Sequence, residues 1–121
     1  MKKRVLIIEN DVDIQHIVSY LLEAEGYDVV ALRPVPADQL LQYKSDLILL
    51  DEWIDKKQGH MLCTEIKMIH EIKHIHVIIF STAPNIAEIA VSCHADGYVQ
   101  KPFELDDLIN EVNRCCLNIV F

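Results

Sequence analysis

The sequence predicts an α/β fold, five strand–helix pairs in succession around a parallel sheet. Three observations carry this. Short apolar runs recur without the period-two alternation of half-exposed strands, as expected of strands buried on both faces. Amphipathic stretches of helical period lie between them. Polar residues of a chemically related kind gather just past the ends of the apolar runs. Strands alternating with helices imply a parallel sheet covered on both faces, and right-handed crossovers leave few topologies.

The elements follow in order. Arg4–Ile8, Asp46–Leu50 and His76–Phe80 are the clearest strands, with Asp28–Leu32 and Gly97–Gln100 weaker candidates. Ile14, Ile17, Val18, Leu21 and Leu22 form one apolar stripe, a first helix that Asp11 can cap and Gly26 can end. Pro34 and Pro36 precede a short second helix over about 37–43. A third helix is expected from about Gly59 to Ile72, with Leu62, Ile66 and Ile69 inward. A fourth, after Pro84, carries Ile86, Ile89, Ala90 and Cys93. A fifth carries Leu105, Leu108, Ile109, Val112 and Cys116.

The chain has 121 residues, which fits one domain over 1–121 with no output domain. It is 51% hydrophobic and carries a net charge of −8, so it lacks the clustered Lys and Arg that phosphate backbones require and is expected not to bind nucleic acid directly. The basic start Met1–Arg4 is followed by only four apolar residues before Glu9, too short for a signal peptide. No run reaches membrane-spanning length, so the expected home is the cytoplasm, away from membranes. Cys63, Cys93, Cys115 and Cys116 match neither a zinc pattern nor a secreted disulfide framework and read as small apolar residues. His70 and His74 would share a face if the third helix reached them, but no further ligand for a zinc ion is evident.

In parallel α/β folds the site lies at the carboxyl ends of the strands. Glu9, Asn10 and Asp11 follow the first strand, Asp51 and Glu52 the third, Ser81 and Thr82 the fourth, and Lys101 and Pro102 the fifth. Carboxylates brought to about 4 Å repel by roughly 4 kcal/mol at an effective dielectric near 20. A divalent cation relieves that repulsion, and Mg²⁺ prefers a few carboxylate oxygens with several retained waters. Such a cation beside a carboxylate, with a lysine and a hydroxyl near, suits phosphoryl transfer onto Asp51.

On the stretches 3–14 (KRVLIIENDVDI), 46–51 (DLILLD), 76–83 (HVIIFSTA) and 96–103 (DGYVQKPF), the chain resembles, over essentially its whole length, the receiver domain of bacterial two-component response regulators. The resemblance implies a (βα)5 doubly wound, flavodoxin-like sheet of strand order 2-1-3-4-5. It implies that Asp51 is the phospho-acceptor and that Mg²⁺ is held by Glu9, Asn10, Asp51 and the backbone carbonyl of Trp53. Ser81 and Tyr98 match the switch residues and Lys101 the phosphoryl-stabilising lysine. The Lys101–Pro102 bond is expected cis. Asp11 and Thr82 are expected as supporting residues of the site, Asp11 by turning its carboxylate inward in place of the one Asn10 lacks. A histidine kinase or phosphotransfer protein would supply the phosphoryl group. The face of the fourth helix, fifth strand and fifth helix would then change, for a downstream protein or a second copy of the chain. No enzyme activity is expected beyond the domain's own phosphorylation and dephosphorylation.

The sequence departs from that pattern in places. Asn10 stands where a second acidic residue is usual, which removes one negative charge and predicts weaker Mg²⁺ affinity. Ile54 and Asp55 replace the usual Met-Pro, so the loop from Glu52 to Gln58 is expected to be looser. The segment from Ser81 to Lys101 is slightly short, which predicts a short fourth helix. These departures motivate a rival reading, a pseudo-receiver that binds partners without phosphorylation. A flavodoxin-like cofactor protein is a third, disfavoured because Glu9–Val12 contains no glycine to cradle a phosphate.

Overall fold

In the computed structural model, which describes residues 2–54 and 57–117, five strands form one parallel sheet. They are β1 (Arg4–Ile8), β2 (Asp28–Leu32), β3 (Leu47–Asp51), β4 (His76–Ser81) and β5 (Gly97–Gln100), in the order β2-β1-β3-β4-β5. The helices are α1 (Val12–Ala24), α2 (Ala37–Tyr43), α3 (Gly59–Met68), α4 (Ile86–Ser92) and α5 (Leu105–Leu117). Fold class and strand order are as the sequence predicts.

The apolar runs divide by residue parity between two cores, which is why they show no polar face. Leu6, Ile8, Ile48, Leu50, Val77 and Ile79 pack with Leu40, Leu62, Ile66 and Ile86 on one side of the sheet. Val5, Ile7, Leu47, Leu49, Ile78 and Phe80 pack with Val18, Leu22, Leu108 and Val112 on the other. All four cysteines are buried and free, as expected of small apolar residues. No helix among the described residues is long and apolar enough to cross a membrane.

Local signals behave as read at most element ends. The Asp11 side chain accepts from the N–H groups of Asp13 and Ile14 and caps α1. Gly26 follows the end of α1 with φ +95, a conformation L side chains resist.

One expectation, the extent of the third helix, needs correction, and two other elements gain detail. The second helix occupies its expected span but winds as a 3₁₀ helix. The third stops at Met68 and not Ile72, because Ile69 turns extended (φ −92, ψ 117). Lys67 Nζ then reaches over the turn to the carbonyls of Lys73 (3.3 Å) and Ile75 (2.7 Å) and to Asp96 Oδ2 (2.8 Å). His70 and His74 therefore share no helix face. In the loop after Asp51, Trp53–Ile54 pairs antiparallel with Lys57–Gln58 in a short ribbon. Asp55 and the tail residues 118–121 lie outside the described residues. The fourth helix is short as expected, at seven residues.

Candidate functional site

The sheet delivers one residue of the site from the end of each of four strands. Glu9 follows β1, Asp51 ends β3, Ser81 ends β4 and Lys101 follows β5. Glu9, Asp51 and Ser81 are buried, at 2%, 7% and 2% exposure. The aim of Lys101 is set by its backbone. Its N–H donates to the Ser81 carbonyl at 2.7 Å, and the peptide bond to Pro102 is cis. From there the side chain returns across the sheet edge. The ammonium lies 4.4 Å from the centroid of the Phe80 ring, donates to Asp51 Oδ1 at 3.1 Å and reaches Glu9 Oε2 at 3.5 Å. Phe80 pairs with Asp51 in the β3–β4 register, so one ring forms a platform directly beside the carboxylate.

Two buried carboxylates thus share one ammonium. The Glu9 carboxyl is held above its ordinary value, mainly by burial and further by the Asp51 carboxylate. The Asp11 N–H, which donates to Glu9 Oε1 at 3.0 Å, and Lys101 pull the other way. The excess negative charge and the all-oxygen donors fit a hard divalent cation such as Mg²⁺. Only two side-chain carboxylates converge there among the described residues. No three His, Cys, Asp or Glu side chains form a metal cluster among the described residues, and this removes the zinc reading of His70 and His74. A bound Mg²⁺ would have to draw its remaining oxygens from an amide, the backbone and water.

The other expected residues are placed as follows. Asn10 is exposed, has no hydrogen bond among the described residues, and lines a cavity of about 490 Å³ with Val12, Gln15, Ala31 and Arg33. Asp11 does not turn inward to replace the missing carboxylate, because its side chain is committed to capping α1. Trp53 sits in the ribbon two residues beyond Asp51. Ser81 Oγ accepts from the Ala83 N–H at 3.0 Å, and Thr82 is exposed. Tyr98 is 43% exposed, which excludes a static core role; its N–H donates to Glu111 Oε2 at 3.3 Å.

One pair escaped the sequence reading. Glu52 is buried beside Asp51, its carboxylate contacts His60 Nδ1, and its Oε2 is buried without a hydrogen-bond partner among the described residues. The Gly59 N–H donates to the Glu52 carbonyl, and a Cβ at Gly59 would collide with the Asp51 carbonyl oxygen. Both ties close the ribbon loop onto the Asp51–Glu52 peptide. A charged residue directly after a buried strand was the one available signal. Its partner, eight residues on, is reached across the ribbon loop, where no single periodicity applies.

The profile of the response regulator receiver domain family matches residues 5–113. The DNA-binding dual master transcriptional regulator RpaA of Synechocystis is 31% identical over 113 residues, covering 90% of this chain and 47% of that protein. The chain therefore spans about half the length of that relative. A putative response regulator from Chloroflexus aurantiacus superposes with a TM-score of 0.83 at 21% identity, covering 97% of this chain and 99% of the other. NtrX from Brucella abortus superposes with a TM-score of 0.78 at 30% identity, covering 98% of this chain and 28% of that one.

Proposed function

The chain belongs to the response regulator receiver family, and we propose that it acts as a phospho-acceptor in two-component signalling, with Asp51 taking the phosphoryl group. The observation that carries this reading is the buried Glu9–Asp51–Lys101 cluster at the carboxyl edge of the sheet. A carboxylate oxygen of Asp51 attacks phosphorus while the bond to the donor's leaving atom breaks, and the leaving group departs with the electron pair. Lys101 neutralises charge on the phosphoryl oxygens from the Phe80 platform. Glu9, Asn10, Asp51 and the Trp53 carbonyl would hold Mg²⁺. When bound, that ion supplies charge neutralisation at the transferred group. Ser81 then exchanges its loop hydrogen bond for a phosphoryl oxygen. Tyr98, exposed in this structure, turns inward and alters the face of α4, β5 and α5.

The donor in this reading is a histidine kinase or phosphotransfer protein. The output partner is a protein or protein segment that reads that face. RpaA, about twice as long as this chain, is a DNA-binding regulator and offers one precedent for a receiver-containing protein with an output. A pseudo-receiver is the second reading, favoured by exposed Asn10 and by the site's having only two converging carboxylates among the described residues.

Trp53, the one tryptophan, reports on the choice. Its fluorescence is followed through additions of Mg²⁺ and then beryllofluoride, with Asp51→Asn as control. Saturable changes that the variant lacks are expected. A folded protein without response at millimolar Mg²⁺ would leave the pseudo-receiver reading standing.

A further inference from the structure

We infer that Arg33 is a binding residue for the phosphoryl donor, with the amide of Asn10 keeping its guanidinium free for that role. The inference rests on Asp51 as acceptor. Arg33 immediately follows β2, whose last residue Leu32 pairs with Ile8. Continuing that register sets position 33 beside Glu9, on the edge of the sheet that carries Asp51. Arg33 lines the 490 Å³ cavity together with Asn10, Val12, Gln15 and Ala31. Among the described residues no hydrogen bond or ion pair engages it.

The two acids that flank Asn10 are otherwise occupied. Glu9 is held by Lys101 and the Asp11 N–H, and Asp11 caps α1. A carboxylate at position 10 would be the natural partner across the cavity, and an amide stands there instead. The side chain of Gln15 is also engaged, donating to the carbonyls of Glu9 and Leu32. What remains is a planar fork of N–H donors with no acceptor among the described residues, in a cavity roomy enough for a phosphate-sized anion. A guanidinium so placed matches phosphoryl oxygens better than it matches anything else at this edge.

The charge balance gives the inference a signature. Asn10 removes one negative charge from the metal side, and Arg33 adds a positive charge next to it. Both changes disfavour a cation and favour an anion. Removing Arg33 should therefore move the two affinities in opposite directions. Damage to the fold would weaken both together.

The test uses the full chain and Arg33→Ala, with Arg33→Lys as the milder variant. Phosphorylation of Asp51 is measured against acetyl phosphate, a small acyl phosphate, and against phosphoramidate, whose P–N bond stands for a partner's phosphohistidine. Mg²⁺ binding is titrated separately by Trp53 fluorescence. Arg33→Ala is expected to raise the half-saturating donor concentration about tenfold, as for one charge-assisted hydrogen-bonded contact. It is also expected to tighten Mg²⁺ about threefold, and both effects should shrink in about 0.5 M salt. Equal losses with both donors assign Arg33 to the phosphoryl group whatever carries it. A loss with acetyl phosphate alone assigns it to small acyl phosphates. Unchanged donor dependence, or donor and Mg²⁺ weakened together, overturns the inference. A wild-type chain that takes a phosphoryl group from neither donor overturns the acceptor reading itself, and is recognised because the failure precedes any substitution.

Discussion

At position 10 a single atom type decides the charge of the site. Placing a carboxylate there with Asn10→Asp, in the Arg33→Ala background so that the guanidinium does not claim it, adds one anionic oxygen donor beside Glu9 and should tighten Mg²⁺ about tenfold, equivalent to roughly 1.4 kcal/mol. Titration of Trp53 fluorescence measures it. An unchanged affinity would mean that residue 10 takes no part in holding the ion. Gly59 is the second position where one atom matters. A Cβ there would strike the Asp51 carbonyl oxygen, backbone that cannot step aside without moving the proposed acceptor. Gly59→Ala is expected to cost about 1–3 kcal/mol of stability in urea unfolding and to weaken the Mg²⁺ response. A variant with normal stability and response would show that the contact relaxes freely.

At the level of elements, the strands were legible because burial on both faces leaves an unbroken apolar run. Leu47–Leu50 and Val77–Phe80 could hardly be anything else once bounded by polar residues. The end of α3 was not legible. Its apolar spacing continues through Ile69 and Ile72, but Ile69 turns extended and Lys67 folds over the turn that follows, contacts set by tertiary structure. The strand-end positions of Glu9, Asp51 and Lys101 were equally plain, since topology alone collects them. The Glu52–His60 contact was hidden, because it depends on how a ribbon loop closes. Lys67 also provides a test remote from the site. Its ammonium ties α3 to the entries of β4 and β5 through the Ile75 carbonyl and Asp96, whose carboxylate also accepts the Val77 N–H at 2.8 Å. Lys67→Met strands these acceptors and should cost about 2 kcal/mol, the penalty of leaving partly buried polar groups unpaired. Mg²⁺ affinity should stay as it was, because the staple lies at the opposite edge of the sheet. A joint loss of stability and Mg²⁺ binding would refute that separation.

For the whole molecule, the two edges of the sheet carry different chemistry. The carboxyl edge gathers the charges of Glu9, Asp51 and Lys101, whereas near the amino edge, beside the Lys67–Asp96 ion pair, the fold also buries two thiols and a phenol. Near that second edge Tyr27, whose hydroxyl donates to Asn113 Oδ1, packs in one core cluster with Cys115 and Cys116 of α5. Burial pushes the Cys115 thiol from its ordinary 9.0 up to about 11 and the Cys116 thiol up to about 12. Burial, with Cys116 alongside, pushes the Tyr27 phenol from 10.0 up to about 12. In each case the folded state holds the proton more tightly than the unfolded chain does. The stabilisation is therefore complete below about pH 9 and is lost as pH rises toward 11–12. Between about pH 8 and about pH 10.5 the fold should lose on the order of 5 kcal/mol, read from urea midpoints, since a tenfold tighter hold on one proton is worth about 1.4 kcal/mol. The double substitution Cys115→Ala and Cys116→Ala should flatten most of that dependence, even if it lowers stability at the starting pH. A wild-type profile that is already flat across that range would mean that these groups ionise without opening the core.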